Sequence, residues 1–172
     1  MAVSGIRYRD AGVTDAALVA DLFARSFCET FAHLYKPEDL AAFLDEVTAD
    51  AYEAEMSDPT FDIRIAEANG IAVAFAKLGN PSLPAEPPPD TLELRQIYVL
   101  NGWQGAGIGP ALFDWAADRA RKRGGGYLQL TVYFDNHRAK AFYERRGFVE
   151  VGRYDFMVGN HADEDIIMRA PL

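Results

Sequence analysis

Leu92-Glu93-Leu94-Arg95-Gln96-Ile97-Tyr98-Val99-Leu100-Asn101-Gly102-Trp103-Gln104-Gly105-Ala106-Gly107-Ile108-Gly109 carries the most information in the chain. Leu92–Leu100 reads as a strand, and the residues after it form a glycine-rich turn that opens a helix to about Arg123. Glycine lets backbone approach a ligand closely, and the first N–H groups of a helix have no partners of their own. The positive end of the helix dipole lies at the same point, so the turn is built to hold an anion. A Walker A loop is excluded, because Gly109 is followed by Pro110-Ala111 rather than Lys-Ser/Thr. A dinucleotide fingerprint is excluded by spacing. Its third glycine falls on Pro110 when counted from Gly105 and Gly107, and on Leu112 when counted from Gly107 and Gly109. What remains is Gln-x-x-Gly-x-Gly, an anion-binding turn of another kind. Pro110 removes one N–H, but in the first helical turn, where proline is tolerated; Gly105 to Gly109 keep theirs.

Outward from this loop, the chain alternates strands and helices. Ile6–Arg9 reads as a short strand, and Thr14 offers an N-cap to a helix with Leu18, Val19, Leu22, Phe23, Ser26 and Phe27 at helical spacing. Pro37 opens a second helix and a third amphipathic stretch covers about Asp50–Met56. Asn69-Gly70, between two tracts of period two, signals a hairpin. Pro81–Pro89 holds five prolines and reads as a stiff surface loop inside one domain, residues 1–172, since the strands on both sides need partners. Gly124-Gly125-Gly126 stops the helix after the glycine loop; Tyr127–Tyr133 is a strand, and Asn136 caps another helix. Two last strands, about Phe148–Val158 and Asp165–Arg169, flank a turn around Gly159-Asn160-His161. The order predicts an α/β fold: a mixed sheet with helices on both faces.

Composition narrows the function classes. With 172 residues, 49% apolar and 25% charged, the chain has a globular balance. No run approaches 18 apolar residues, and Met1–Arg7 lacks the apolar stretch of a signal peptide, so no membrane partner and a cytoplasmic location are expected. Cys28 is the only cysteine, which excludes an internal disulfide and a cysteine zinc cluster. A net charge of −9 disfavours nucleic acid as a partner and favours cationic small molecules.

A second motif follows the first. In Leu130-Thr131-Val132-Tyr133-Phe134-Asp135-Asn136-His137-Arg138-Ala139-Lys140-Ala141-Phe142-Tyr143-Glu144-Arg145-Arg146-Gly147-Phe148, a strand leads into a helix with Ala139, Phe142 and Tyr143 on one face. Together the two motifs, spanning roughly Leu92 to Leu172, closely resemble the GCN5-related N-acetyltransferase superfamily. Phe27-Cys28-Glu29-Thr30-Phe31, Pro37-Glu38-Asp39-Leu40 and Phe156-Met157-Val158-Gly159 with Asp165-Ile166-Ile167-Met168 are similar to the PaiA-type spermidine/spermine N-acetyltransferases.

The resemblance implies a mostly antiparallel sheet of about seven strands and acetyl-CoA as cofactor. It also implies direct acetyl transfer to the primary amine of a small cation such as a polyamine. Gln104, Gly105, Ala106, Gly107, Ile108 and Gly109 then hold the pyrophosphate, and Asn136 and Lys140 lie beside the cofactor. A backbone N–H within Ile97-Tyr98-Val99, where the central strand splays, faces the carbonyl. Tyr143 matches the general acid. For the base, Glu29, Glu93 and a water relay stay open. His33, His137 and His161 are too scattered for a metal set. The His161-x-Asp163-x-Asp165 pattern reads as a polar turn rather than a metal site. Two other classes compete, a non-catalytic acyl-CoA sensor and a protein lysine or N-terminal acetyltransferase, and a homodimer is left open.

Overall fold

In a computed structural model, residues 5–172 are described; the reading of Met1–Ser4 lies outside the described residues. Seven strands form one sheet in the order β1-β2-β3-β4-β5-β7-β6. They are β1 (Ile6–Asp10), β2 (Asp62–Ala68), β3 (Ile71–Gly79), β4 (Thr91–Val99), β5 (Tyr127–Tyr133), β6 (Val149–Val158) and β7 (His161–Pro171). Every neighbouring pair is antiparallel except β4 and β5. The mixed, mostly antiparallel sheet expected from the sequence is therefore present. Among the described residues no helix is long and apolar enough to cross a membrane.

Helices cover both faces. On one side lie α1 (Ala16–Phe31), α2 (Pro37–Asp45) and α3 (Ala49–Ser57); on the other lie α4 (Ile108–Lys122) and α5 (His137–Glu144). The apolar stripe of α1, with Val19, Leu22, Phe23 and Phe27, packs on Ile65 and Phe75. The stripe of α4, with Leu112, Ala116 and Ala120, packs on Leu78, Leu94, Leu128 and Met168. Each element starts and stops for a local reason. Pro37 is the first residue of α2, Thr48 accepts from Ala51 N–H ahead of α3, and Asn136 accepts from Ala139 N–H ahead of α5. Gly125 N–H donates to Ala120 O at 2.9 Å, closing α4.

Two boundaries differ from the sequence reading. Thr14 does not cap α1: it sits in a 3-10 turn, Val13–Asp15, whose Asp15 carboxylate accepts from Gly12 N–H and pairs with Arg9. Aspartate outcompetes the threonine because it also takes a guanidinium. More consequential is β7, which starts at His161 rather than Asp165, so the hairpin turn shrinks to Gly159-Asn160.

The sheet also opens at its centre. β4 pairs with β5 only over Thr91–Glu93 and Tyr127–Gln129. On its other edge, β4 matches Leu94 to Leu78 and Gln96 to Lys77, which leaves Arg95 as an extra residue. Such a bulge raises the local twist and bends the strand. Beyond it β4 leaves β5, and a wedge opens between them.

The tip of the β6–β7 hairpin is fastened to α2, where Asp39 Oδ1 accepts from Asn160 N–H at 2.9 Å. Gly159 permits this contact. Its φ is +56°, and a Cβ there would lie 2.6 Å from Asp39 Cα and 2.8 Å from its carbonyl oxygen. Gly159→Ala must move backbone as well as strain its own, so it is expected to cost about 2 kcal/mol. Urea unfolding with an unchanged midpoint would contradict this close fit.

Candidate active site

The wedge between β4 and β5 is a cleft of about 290 Å³ that runs through the sheet. Its floor is main chain. Leu100 N–H donates to Val73 O on β3, so by strand alternation Tyr98 also turns its N–H toward β3. Ile97 and Val99 then direct theirs into the wedge, where β5 no longer offers partners. Val99 O, facing the same way, accepts from Gln104 Nε2 at 3.2 Å. Gln104 therefore ties the glycine loop back to the strand end, which its motif alone did not reveal.

At one mouth of the cleft stands the loop before α4. The helix begins at Ile108 behind Gly107, which has φ +83° and provides no side-chain cap. Among the described residues, none of the N–H groups from Gly105 to Gly109 has an acceptor in the protein. A Cβ placed on Gly105, Gly107 or Gly109 would meet nothing within 4 Å. The donors thus face open space, at the positive end of a 15-residue helix.

On the wall beside this mouth, Tyr143 of α5 is 8% exposed and packs among Phe113, Phe142 and Phe148. Burial pushes its phenol up to about 12, so it stays protonated at any working pH. Asn136 lines the cleft while its Oδ1 caps α5. Lys140 is half-buried on the same helix and does not line the cleft.

The other mouth lies under α1 and is aromatic and acidic. Phe27 stacks on Tyr35 with ring centroids 5.8 Å apart, and Phe31 meets Tyr133 edge-on. Beneath them β7 presents Asp163 and Asp165. The Tyr35 hydroxyl donates to Asp163 Oδ2, and His161 Nε2 lies 3.1 Å from Asp163 Oδ1. The sequence reading placed these residues in a polar turn. As a strand, the His161-x-Asp163-x-Asp165 spacing puts all three on one face. Among the described residues no group of three or more His, Cys, Asp or Glu side chains is placed to hold a metal ion.

Asp165 differs from Asp163 in its company. It is 9% exposed, lines the cleft and pairs with no cation among the described residues. Burial, and then the charge of Asp163, push its carboxyl from 3.8 to about 7, opposed by the Thr131 hydroxyl.

Neither glutamate named from the sequence lines the cleft. Glu29 is exposed on α1, and its Oε2 accepts from Asn101 N–H at 2.9 Å, capping the 3-10 turn after β4. Glu93 is buried where β4 and β5 still pair. It accepts from Ser82 N–H, Ser82 Oγ and Gln129 Nε2, and lies 3.1 Å from Arg95. Both carboxylates are committed to holding backbone segments in place.

Comparison with known proteins agrees with this architecture. The model of the Acetyltransferase (GNAT) family matches residues 21–148. The chain is 31% identical over 157 residues to an uncharacterized N-acetyltransferase of Mycobacterium tuberculosis, covering 91% of this chain and 97% of that one. It is 26% identical over 172 residues to an uncharacterized N-acetyltransferase in the pepI 3' region of Lactobacillus delbrueckii subsp. lactis, covering 99% of each. The PaiA N-acetyltransferase of Thermoplasma acidophilum, solved in complex with coenzyme A, shares the fold with a TM-score of 0.77 at 20% identity, over 98% of this chain and 99% of that one.

The raised Asp165 carboxyl sets a pH dependence of stability. Between about pH 4 and 7 the folded chain holds a proton that the unfolded chain releases, so this residue's contribution falls as pH rises through that window. Asp165→Asn is expected to raise Tm by roughly 4 °C at pH 8 and to leave it nearly unchanged at pH 4. Equal shifts at both pH values would show that charge is not the cause.

Proposed function

The chain belongs to the Acetyltransferase (GNAT) family, and from that premise we propose that it passes an acetyl group from acetyl-CoA directly to a primary amine of a small cation, a polyamine foremost. The observation that carries this reading is the wedge between β4 and β5, with free main-chain donors at one mouth and an aromatic, acidic pocket at the other.

The residues fit a nucleotide thioester. Five N–H groups from Gly105 to Gly109 without acceptors, open at each glycine, suit a diphosphate laid against α4. Acetyl-CoA, when bound, supplies a thioester carbonyl open to attack by an amine. Ile97 and Val99 offer N–H groups to a carbonyl oxygen in the wedge, where developing negative charge would be stabilised. Tyr143 holds its proton on Oη beside the same space. A phenol near 12 is a weaker acid than a thiol near 8.5, so Tyr143 acts by donating a hydrogen bond to sulfur rather than by surrendering its proton outright.

The acceptor mouth favours a slender molecule. The Asp39–Asn160 contact closes α2 onto the β6–β7 hairpin, which narrows the approach that a folded protein substrate would need. Arg95, the arginine in the lining, is held by Glu93 and lies 5.4 Å over the Phe61 ring. Uncompensated charge at the acceptor mouth is thus negative, and the rings of Phe27, Phe31 and Tyr35 can face a cation.

Tyr143→Phe should keep the buried ring and slow turnover about 10- to 100-fold. A wild-type rate would remove this hydroxyl from the mechanism. The substrate class is tested by thiol release from acetyl-CoA with spermidine, spermine, amino acids, aminoglycosides and a lysine peptide. Turnover confined to the peptide would overturn the small-cation reading.

A further inference from the structure

The geometry points to Asp165 as the group that takes the proton from the acceptor ammonium, and to Asp163 as the anchor for a second positive charge on the same molecule. This rests on the small-cation reading above and assigns its missing base to β7.

Position is the first argument. Asp163 and Asp165 alternate on β7, so their side chains rise from one face about 7 Å apart. An alkyl chain of roughly three or four carbons between two amines covers a similar interval. Asp165 lies deeper toward the wedge: it registers with Tyr133 at the end of β5, whereas Asp163 lies nearer the hairpin tip, opposite Phe156.

Company is the second. Asp163 is already satisfied by Tyr35 and His161 and is held in one orientation, as suits an anchor. Asp165 is a 9% exposed carboxylate lining the cleft, with no cation paired to it among the described residues. The groups facing it are Asp163 on β7, Thr131 and Tyr133 on β5, Tyr98 on β4, Tyr35 after α1 and Tyr154 opposite it on β6, while His161 reaches only Asp163. Arg153 of β6 turns outward to Glu150 and Glu164. A buried carboxylate without a counter-ion is costly, and an incoming ammonium supplies one.

Chemistry is the third. With its carboxyl pushed up to about 7, Asp165 is matched to proton removal near neutrality. Desolvation by Phe27, Phe31 and Tyr35 works on the ammonium in the opposite sense, making it readier to lose a proton. In the step, one N–H bond of the ammonium breaks and its electron pair stays on nitrogen. An O–H bond forms on Asp165, which passes that proton to water at the open mouth. The neutral amine then attacks. A second N–H proton, shed as the C–N bond forms and the C–S bond breaks, leaves with sulfur.

The test uses the wild type, Asp165→Asn, Asp165→Glu and Asp163→Asn with the best amine of the panel. In the wild type, kcat/KM should rise with pH through about 7. Asp165→Asn should lose about 100-fold in kcat and lose that limb, with coenzyme A affinity unchanged, and Asp165→Glu should restore part of both. Asp163→Asn should keep the limb and raise KM about tenfold for diamines but not for monoamines. Calorimetry with spermidine alone gives a readout free of turnover. At pH 6, binding to the wild type should release a proton into the buffer, and binding to Asp165→Asn should release none. An active wild type whose Asp165→Asn variant keeps the pH limb overturns the assignment and leaves the acetyltransferase reading standing. A wild type inactive on every amine overturns that reading, and spermidine binding without proton release then overturns the assignment as well.

Discussion

Everything at the site follows from β4 and β5 ceasing to pair after Glu93. Two parallel strands would ordinarily continue their ladder, because an unpaired main-chain donor in a protein interior is costly. Here the bulge at Arg95 bends β4 away, and the price is limited because the freed edge faces a cleft rather than apolar core. The closed end of the wedge is pinned by a polar network. Glu93 gathers Ser82, Gln129 and Arg95, and Gln129 in turn accepts from Arg169 on β7 at 3.1 Å. Through Ser82 the same carboxylate anchors the proline-rich loop. Its burial at 4% exposure is thus a structural duty performed next to the functional opening.

The two mouths are built from different materials. The α4 side uses backbone: unpaired N–H groups, a helix dipole and glycines that keep side chains away. The α1 side uses side chains from two distant parts of the chain, namely Phe27 and Phe31 on α1 with Tyr35 just after it, and Asp163 and Asp165 on β7. Such a pocket strains the fold. Two neighbouring buried carboxylates, one without a cation, lower stability at neutral pH, and a sequence selected for stability alone would place an amide or an apolar residue there.

This difference in materials explains how much could be read beforehand. The glycine loop, the Asn69-Gly70 hairpin, the Pro37 and Asn136 helix starts and the strand order were legible because each depends on local backbone chemistry. The bulge was not. In Glu93-Leu94-Arg95-Gln96-Ile97 only the adjacent polar pair Arg95-Gln96 breaks the alternation, and no glycine marks the extra residue. The resemblance to a known family supplied the splayed strand, where the residues themselves did not. The sequence places the start of the last strand at Asp165 and leaves Asp163 in the turn, since aspartate is a poor strand former. Pairing along both edges of β7, with β5 and with β6, overrides that preference. Glu29 and Glu93 attracted notice as carboxylates near the right elements, but sequence cannot tell a carboxylate that caps a turn or pins a network from one left free.

A consequence follows for specificity in this fold. A mouth made of backbone tolerates side-chain change as long as the glycines and the helix start persist, so it stays recognisable across distant chains. A mouth made of side chains can be rebuilt without disturbing the sheet, because α1, the segment around Tyr35 and β7 each contribute only a few residues to it. The join between these segments is narrow. Asp39 receives the Asn160 N–H where Gly159 leaves no room for a side chain, so α2 and the hairpin share one boundary. Since Asp163 and Asp165 lie only a few residues beyond that turn, any change that shifts the hairpin also shifts both carboxylates relative to the wedge. The thioester end would stay in place, and the choice of amine would move with the turn.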